Sequence, residues 1–235
     1  MDPRTPVLVG VGQVVNRDGE PREPLALMED AARLAAADAG LALDRVQCVA
    51  IVDAISQSLA DPGAALAARL GATPETTTRS GLGGNGPQLL VNQLAEQIAT
   101  GALDVALVAG AEAMATVSRL MKQGEEVPWT SEAGWSDERP GSSEAEIAAG
   151  LIAPIFFYPL LEHALRSEAE RTRPDHLRHI SELWAGFSAV AEGNEHAWSR
   201  EAHTAEEIAT ESAGNRRVSD PYLKLHNSHI GVDMG

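Results

Sequence analysis

The chain has 235 residues, 44% hydrophobic and 4% aromatic, enough for one large domain or two small ones and without the polar bias of a disordered chain. Thirty-four acidic against eighteen basic side chains leave a formal charge of −16, which argues against nucleic acid or an anionic membrane surface as partner, though a local basic pocket can still hold a nucleotide-like molecule. The single cysteine, Cys48, excludes a disulfide framework and a multi-cysteine metal cluster; with no membrane-spanning apolar run and no signal-peptide core after Met1-Asp2-Pro3, a cytoplasmic location is expected.

In chain order, Val7–Val11 is a continuous apolar run between Pro6 and Gly12 and predicts a strand buried on both faces. After the turn-rich segment NRDGEPRE, Pro24 opens a helix over Leu25–Ala39, with Leu27, Ala31, Leu34 and Ala35 at helical spacing and Gly40 as its stop. Val46–Ala54 is a second apolar strand, in which Cys48 reads as a buried apolar position. Asp61 and Pro62 cap and start a helix through Leu70, ended by Gly71. Thr76–Ser80 is the third strand, Pro87–Thr100 the third helix and Val105–Gly110 the fourth strand. This alternation predicts an α/β core over 1–114: a parallel-rich sheet with helices on both faces and right-handed crossovers, its ligand at the carboxyl ends of the strands.

The glycine-rich stretch Ser80-Gly81-Leu82-Gly83-Gly84-Asn85-Gly86 lies on that edge, as does Glu112, and Pro87 follows at a helix start. Glycine permits close backbone approach and positive φ, and the free N–H groups of a first helical turn attract negative charge. An acyl oxygen, carboxylate or phosphate suits such a corner; so does a plain tight turn between buried elements.

From Ala115 the pattern changes, and 115–215 reads as a separate, mostly helical loop domain. Thr116–Gly150 is acidic and aperiodic (Glu125, Glu126, Glu132, Asp137, Glu138, Glu144 and Glu146 against Arg119, Lys122 and Arg139) and reads as a solvated loop or lid. Ile152–Arg166 is apolar and helical, interrupted by Pro154 and Pro159; Pro174–Ala191 is an amphipathic helix with Leu177, Ile180, Leu183, Trp184, Phe187 and Val190 on one face; Ala202–Glu211 is a shorter helix. Residues 216–235 return toward extended structure. All seven histidines lie in this half. His176 and His179 share a helix face as a polar edge or as two ligands of a metal that lacks an identifiable third, and His226 and His229 are candidates to line a cleft.

Gly81, Gly83 and Gly86 also fit the dinucleotide-binding spacing G-x-G-x-x-G between a strand and a helix. The first acid at a strand end, Glu112, falls about thirty residues on, where about twenty is expected for a ribose contact.

Six stretches in order, VLVGVGQVVNR, AAADAGL, DPGAALAARLG, SGLGGNGPQ, VALVAGAEAM and NRRVSDPYLKLHNSHIGVDMG, give the chain a resemblance to the N-terminal half of a thiolase of the acetyl-CoA acetyltransferase and SCP2 type. The family makes and breaks carbon–carbon bonds beside an acyl-CoA thioester. The turn and the GAEAM strand end are the specific parts of the likeness, which extends over essentially the whole chain. In that family the third strand ends on a nucleophilic cysteine followed by Gly-Ser-Gly-x-Gln; in register, Gly86 and Gln88 match, Asn85 stands at the serine, Gly84 at the glycine and Gly83 at the nucleophile. Cys48, on another strand, does not replace it. The resemblance therefore implies an acyltransferase-type protein with a degenerate nucleophile position and no catalytic residue of its own at the turn. It implies a CoA thioester, as substrate or ligand, held by Gly83, Gly84, Asn85, Gly86, Gln88 and Glu112, with Glu162 at the one matching position of a loop-domain motif and no metal. Arg166, Arg171 and Arg173 are solvated helix surface or contacts to CoA phosphates. A non-covalent aldolase or lyase reaction with a partner chain, or a non-catalytic interaction subunit, is also compatible. Since the family's catalytic histidine and second cysteine belong to its later half, and its last N-terminal-half strand follows the position of Gly235, a homo-oligomer or a complementary C-terminal-half chain is the expected partner.

Overall fold

The computed structural model describes residues 3–17, 19–132, 142–151 and 153–235. Asp137, Glu138 and Arg139 of the acidic segment, Ile152 at the expected start of a helix, and Met1 and Asp2 lie outside the described residues. The chain divides into two compact units, Met1–Gly141 with Ile230–Gly235, and Ser142–His229.

In the first unit, α1 (Pro24–Ala39) opens on Pro24 and closes on left-handed Gly40, and α2 (Pro62–Leu70) is capped by the Asp61 carboxylate, which accepts from Ala64 N–H at 2.8 Å, and closes on left-handed Gly71. β1 (Cys48–Val52) is the central strand of a parallel sheet, flanked by β2 (Thr76–Arg79) and β3 (Ala106–Gly110). α3 (Gly86–Thr100) follows the glycine turn. The two-residue period of the strands sorts the core into two clusters. Val49, Ile51 and Ala109 meet Leu25, Met28 and Ala32 of α1 and Leu66, Ala67 and Leu70 of α2, while Cys48 and Ala50 meet Leu90 and Leu94 of α3. Helices thus cover both faces of a parallel sheet, as the alternation of elements predicts, and Cys48 is 3% exposed inside one of the clusters.

Val7–Val11 departs from expectation. Among the described residues it is hydrogen-bonded to no strand, and Val7, Leu8, Val9 and Val11 are 62%, 83%, 56% and 71% exposed. It lies against α1 through its glycines: a Cβ on Gly10 would stand 2.2 Å from the Ala35 carbonyl oxygen, and one on Gly12 2.1 Å from that of Ala31. Burial on both faces requires a paired position inside a sheet, and this run has none. Pairing begins only beyond it, where Val15 bridges Met234 of β7 (Asp233–Met234), itself antiparallel to β4 (Glu112–Ala113).

The segment expected to be a solvated loop from Thr116 is partly ordered. α4 (Met114–Gln123) buries Thr116 and Leu120 and closes on left-handed Gly124. Beyond it, Trp129 Nε1–H donates to the Ser56 carbonyl at 3.0 Å and Glu132 N–H to that of Ser58 at 2.8 Å. The cause is long-range hydrogen bonding that the local sequence does not display.

In the second unit, α5 (Glu144–Ala148) starts on a capping box between Ser143 and Glu146. α6 (Pro154–Glu168) begins on Pro154 and carries Pro159 without ending there, so neither proline interrupts it. α7 (Arg173–Gly193) and α8 (Ala205–Ala209) follow, then a short antiparallel pair, β5 (Arg217–Ser219) and β6 (Tyr222–Leu223), with a cis Asp220–Pro221 bond between them. The expected apolar face of α7 is only partly used. Ile180 is buried together with polar His176 and Ser181, while Leu183, Phe187 and Val190 remain exposed. Among the described residues no helix is long and apolar enough to cross a membrane.

Candidate functional site

The glycine turn sits where β2 ends and α3 begins, at the carboxyl edge of the parallel strands. Ser80 is buried, and its hydroxyl accepts the Asp53 N–H at 3.2 Å, which ties the turn to the end of β1. Gly83 O accepts from Gly86 N–H at 3.0 Å, and Asn85 O from Leu89 N–H at 3.0 Å. Gly83, Gly84, Asn85 and Gln88 are exposed and Gly86 is buried, so the structure gathers the turn residues at the head of a 15-residue helix. None of the turn glycines has positive φ; what the turn requires of glycine is close approach. A Cβ on Gly86 would meet Ser80 Oγ at 2.8 Å and Ser80 Cβ at 3.1 Å. At Gly83 it would meet only the Asn85 side chain, and at Gly84 nothing. Gln88 Nε2–H donates to Asn92 Oδ1 at 2.8 Å on its own helix.

Glu112 lies just past the end of β3, on the same edge. Its carboxylate accepts from Ile55 N–H at 2.6 Å, from Ser56 N–H at 3.0 Å and from the Ser56 hydroxyl. Three donors engage it and tie it to the loop after β1. Cys48 is a free, buried thiol on the α3 side of the sheet.

Glu162 belongs to the second unit, where it joins a half-buried polar cluster that sequence reading does not anticipate. His176 Nε2 lies 2.7 Å from Glu162 Oε1, and the Tyr222 hydroxyl donates to Oε2 at 2.5 Å. Burial first, and the carboxylate second, push the Tyr222 hydroxyl well above its ordinary range. His176 is 3% exposed, so it is no polar helix edge, and its Nδ1 has no partner among the described residues. Beside this cluster, Leu223 N–H donates to His226 Nδ1 at 3.1 Å, which leaves the Nε2 proton to donate to Ser181 Oγ at 2.9 Å; the Ser181 hydroxyl in turn donates to the Leu177 carbonyl at 2.7 Å. Desolvation lowers the His226 pKa to about 4, partly opposed by Glu162. Because Nε2 carries its proton, Ser181 and His226 are not a nucleophile and its base. His229 is exposed and does not share the His226 site. Among the described residues no three metal-ligating side chains come together.

The candidate basic residues divide. Arg173 pairs with Asp220, which also pairs with Arg217 at 3.1 Å and lies 3.3 Å from His163; Arg166 Nη1–H donates to the Arg171 carbonyl at 2.9 Å. A recess of about 600 Å³ in the first unit is lined by Ala115, Ser118, Arg119, Lys122, Gln123 and Gly231, none of them from the glycine turn.

No family profile and no curated protein matches the chain. Among solved structures, it is similar to a monomeric SCP2-thiolase like protein type 1 from Mycobacterium smegmatis, at 29% identity and a TM-score of 0.77 over 100% of this chain and 45% of that one. It is also similar to the Ltp2-ChsH2(DUF35) aldolase, at 21% identity and a TM-score of 0.66 over 96% of this chain and 52% of that one. The chain therefore has a thiolase-like fold and spans about half the length of the solved structures it matches.

Proposed function

We propose that the glycine turn holds the thioester of an acyl-CoA and that this chain does not carry out cysteine-dependent acyl transfer there. The observation that carries the reading is Gly83: it stands exposed at the head of α3, on the carboxyl edge of a parallel sheet, with no side chain where the resembling family has its nucleophile. Backbone N–H groups at a helix start polarise a thioester oxygen and favour charge that develops on it. Without a thiol at that place no acyl-enzyme forms at the turn, and Cys48 is sealed in the core. The working location is the cytoplasm.

A second reading is an aldolase-type cleavage of an acyl-CoA carried out with a partner chain. It draws support from the likeness to a solved structure named as an aldolase of Ltp2 and ChsH2(DUF35), and from the fact that an enolate needs a polarised thioester oxygen but no covalent cysteine.

The experiment is titration calorimetry of the purified chain with acetyl-CoA, alongside Gly84→Asp, a position open enough to accept a side chain. Saturable binding, weakened about tenfold or more when a carboxylate stands at the turn, is expected because the carboxylate competes with the thioester oxygen for the N–H groups of the helix start. An absence of heat up to millimolar acetyl-CoA would sink the acyl-CoA reading.

A further inference from the structure

The recess of about 600 Å³ in the first unit is walled by one face of α4 and by Gly231, just before β7. Ala115, Ser118, Arg119 and Lys122 stand at i, i+3, i+4 and i+7 and so share that face, with Gln123 beside them at the end of the helix. The two walls are fixed to each other. Met114 N–H donates to the Val232 carbonyl at 2.9 Å, one residue from Gly231, and the Asp233 carboxylate holds Thr116. Burial of Leu120 anchors the far half of the helix.

Charge sets this recess apart. In a chain of net charge −16, Arg4, Arg22, Arg33 and Arg69 of the same unit each pair with a carboxylate. Arg119 and Lys122 are exposed and have no hydrogen-bond or ion-pair partner among the described residues, and no acidic side chain is among those lining the recess. They stand about one helical turn apart, where like charges repel. The negative end of the helix favours Lys122, in the last turn, but that effect fades within one turn and does not reach Arg119. A doubly negative group between the two side chains relieves their repulsion and receives charge-assisted contacts from both.

We propose that this recess binds the phosphoryl group of a small molecule, with Arg119 as a forked donor, Lys122 as a point charge and the Ser118 hydroxyl as a further donor. Two facing cations match the near-double charge of a phosphate monoester better than the single charge of a carboxylate. The volume is that of a small-molecule site and leaves room for the organic part of a phosphate ester. An anionic membrane surface is a poor source of the group, because the chain as a whole is acidic. Two sources share the chemistry: the ribose phosphate of a CoA molecule, and a separate phosphate ester. The proposal does not rest on the acyl-CoA reading, since no residue of the glycine turn lines the recess and inorganic phosphate alone tests it.

The test is titration of the isotope-labelled full chain with inorganic phosphate and with methyl phosphate, followed by amide NMR shifts at about 0.15 M salt, where the fields of distant carboxylates are screened. Saturable shifts are expected at 115–123 and 231, with acetate binding about tenfold or more weaker. Arg119→Ala and Lys122→Ala are each expected to weaken phosphate binding about tenfold, the loss of one charge-assisted contact. At Gly231 an added Cβ meets nothing within 4 Å and φ is not positive, so Gly231→Glu should keep the spectrum of the folded chain while its carboxylate occupies the two cations and abolishes binding. No saturation up to about 10 mM phosphate, or binding untouched by all three substitutions, overturns the proposal. Acetate as tight as phosphate overturns the phosphoryl assignment. A shift with CoA that dephospho-CoA does not give assigns the group to the ribose phosphate of CoA, and saturation by methyl phosphate with neither nucleotide shifting the recess assigns it to a separate phosphate ester.

Discussion

The carboxylate of Asp233 caps α4 through Thr116, accepting its backbone N–H at 3.0 Å and its hydroxyl at 2.6 Å across a sequence separation of 117. Both residues are 2% exposed, so the return segment and the helix after β4 are joined by a buried, charge-assisted contact inside the first unit.

Removing one side of that contact strands the other. Asp233→Ala leaves two buried donors on Thr116 and is expected to destabilise the first unit by about 2–4 kcal/mol, whereas Thr116→Val, which keeps the backbone bond, is expected to cost about 1–2 kcal/mol. Denaturant unfolding of the two variants and of the double variant checks this. The double variant should lose less than the sum, since both changes remove the same interaction.

Glu162 joins α6 to α7 and β6 through His176 and Tyr222. Glu162→Ala is expected to destabilise the second unit by about 2–3 kcal/mol, because a half-buried hydroxyl and a buried imidazole lose their shared acceptor, and Tyr222→Phe by about 1 kcal/mol. If acetyl-CoA affinity dropped in Tyr222→Phe while its unfolding midpoint stayed unchanged, this structural assignment would fail.

The His226 ring predicts a pH dependence. Its pKa is about 4 when folded against an ordinary 6.5, so between those values the unfolded chain binds the extra proton and the folded chain does not. Stability therefore falls as pH drops from about 6.5 to about 4, by up to about 3 kcal/mol, and levels off below. His226→Asn keeps an acceptor for Leu223 N–H and cannot titrate, so its unfolding midpoint should change less over that window. Parallel midpoints for the two proteins would rule out His226 as the source.

Thiol chemistry reads the turn directly. Cys48 is buried, so the native chain should stay silent to an aromatic disulfide reagent until it unfolds. Gly83→Cys has only the Asn85 side chain in its way and should fold normally and gain one fast-reacting thiol, favoured as thiolate by the start of α3. A Gly83→Cys thiol no faster than that of the unfolded protein would show that the helix start does not activate this position.

Gly86→Ala should behave differently from its neighbour. An added Cβ meets Ser80 at 2.8 Å, and Ser80 is tied to Asp53, so a loss of about 1–3 kcal/mol is expected, against little change for Gly84→Ala. Thermal melts of the pair decide it.

The sequence by itself determined the elements whose causes are local. Pro24 and Gly40 bound α1, Asp61 and Gly71 bound α2, and the uninterrupted apolar runs around Cys48 and Val108 formed strands, because caps, left-handed stops and hydrophobic runs act within a few residues. The glycine turn was legible for the same reason, since a glycine run between a strand and a proline-led helix is a local pattern. Tertiary structure decided what depends on distant partners. Asp233 caps α4 where an acidic loop is expected, and three donors from the loop after β1 engage the Glu112 carboxylate. Glu162, His176 and Tyr222 met only when a helix pair and a hairpin closed around them. Val7–Val11 has the composition of a central strand and is exposed nonetheless, because apolar composition makes a segment fit for a sheet, while burial on both faces also requires a strand at its edge.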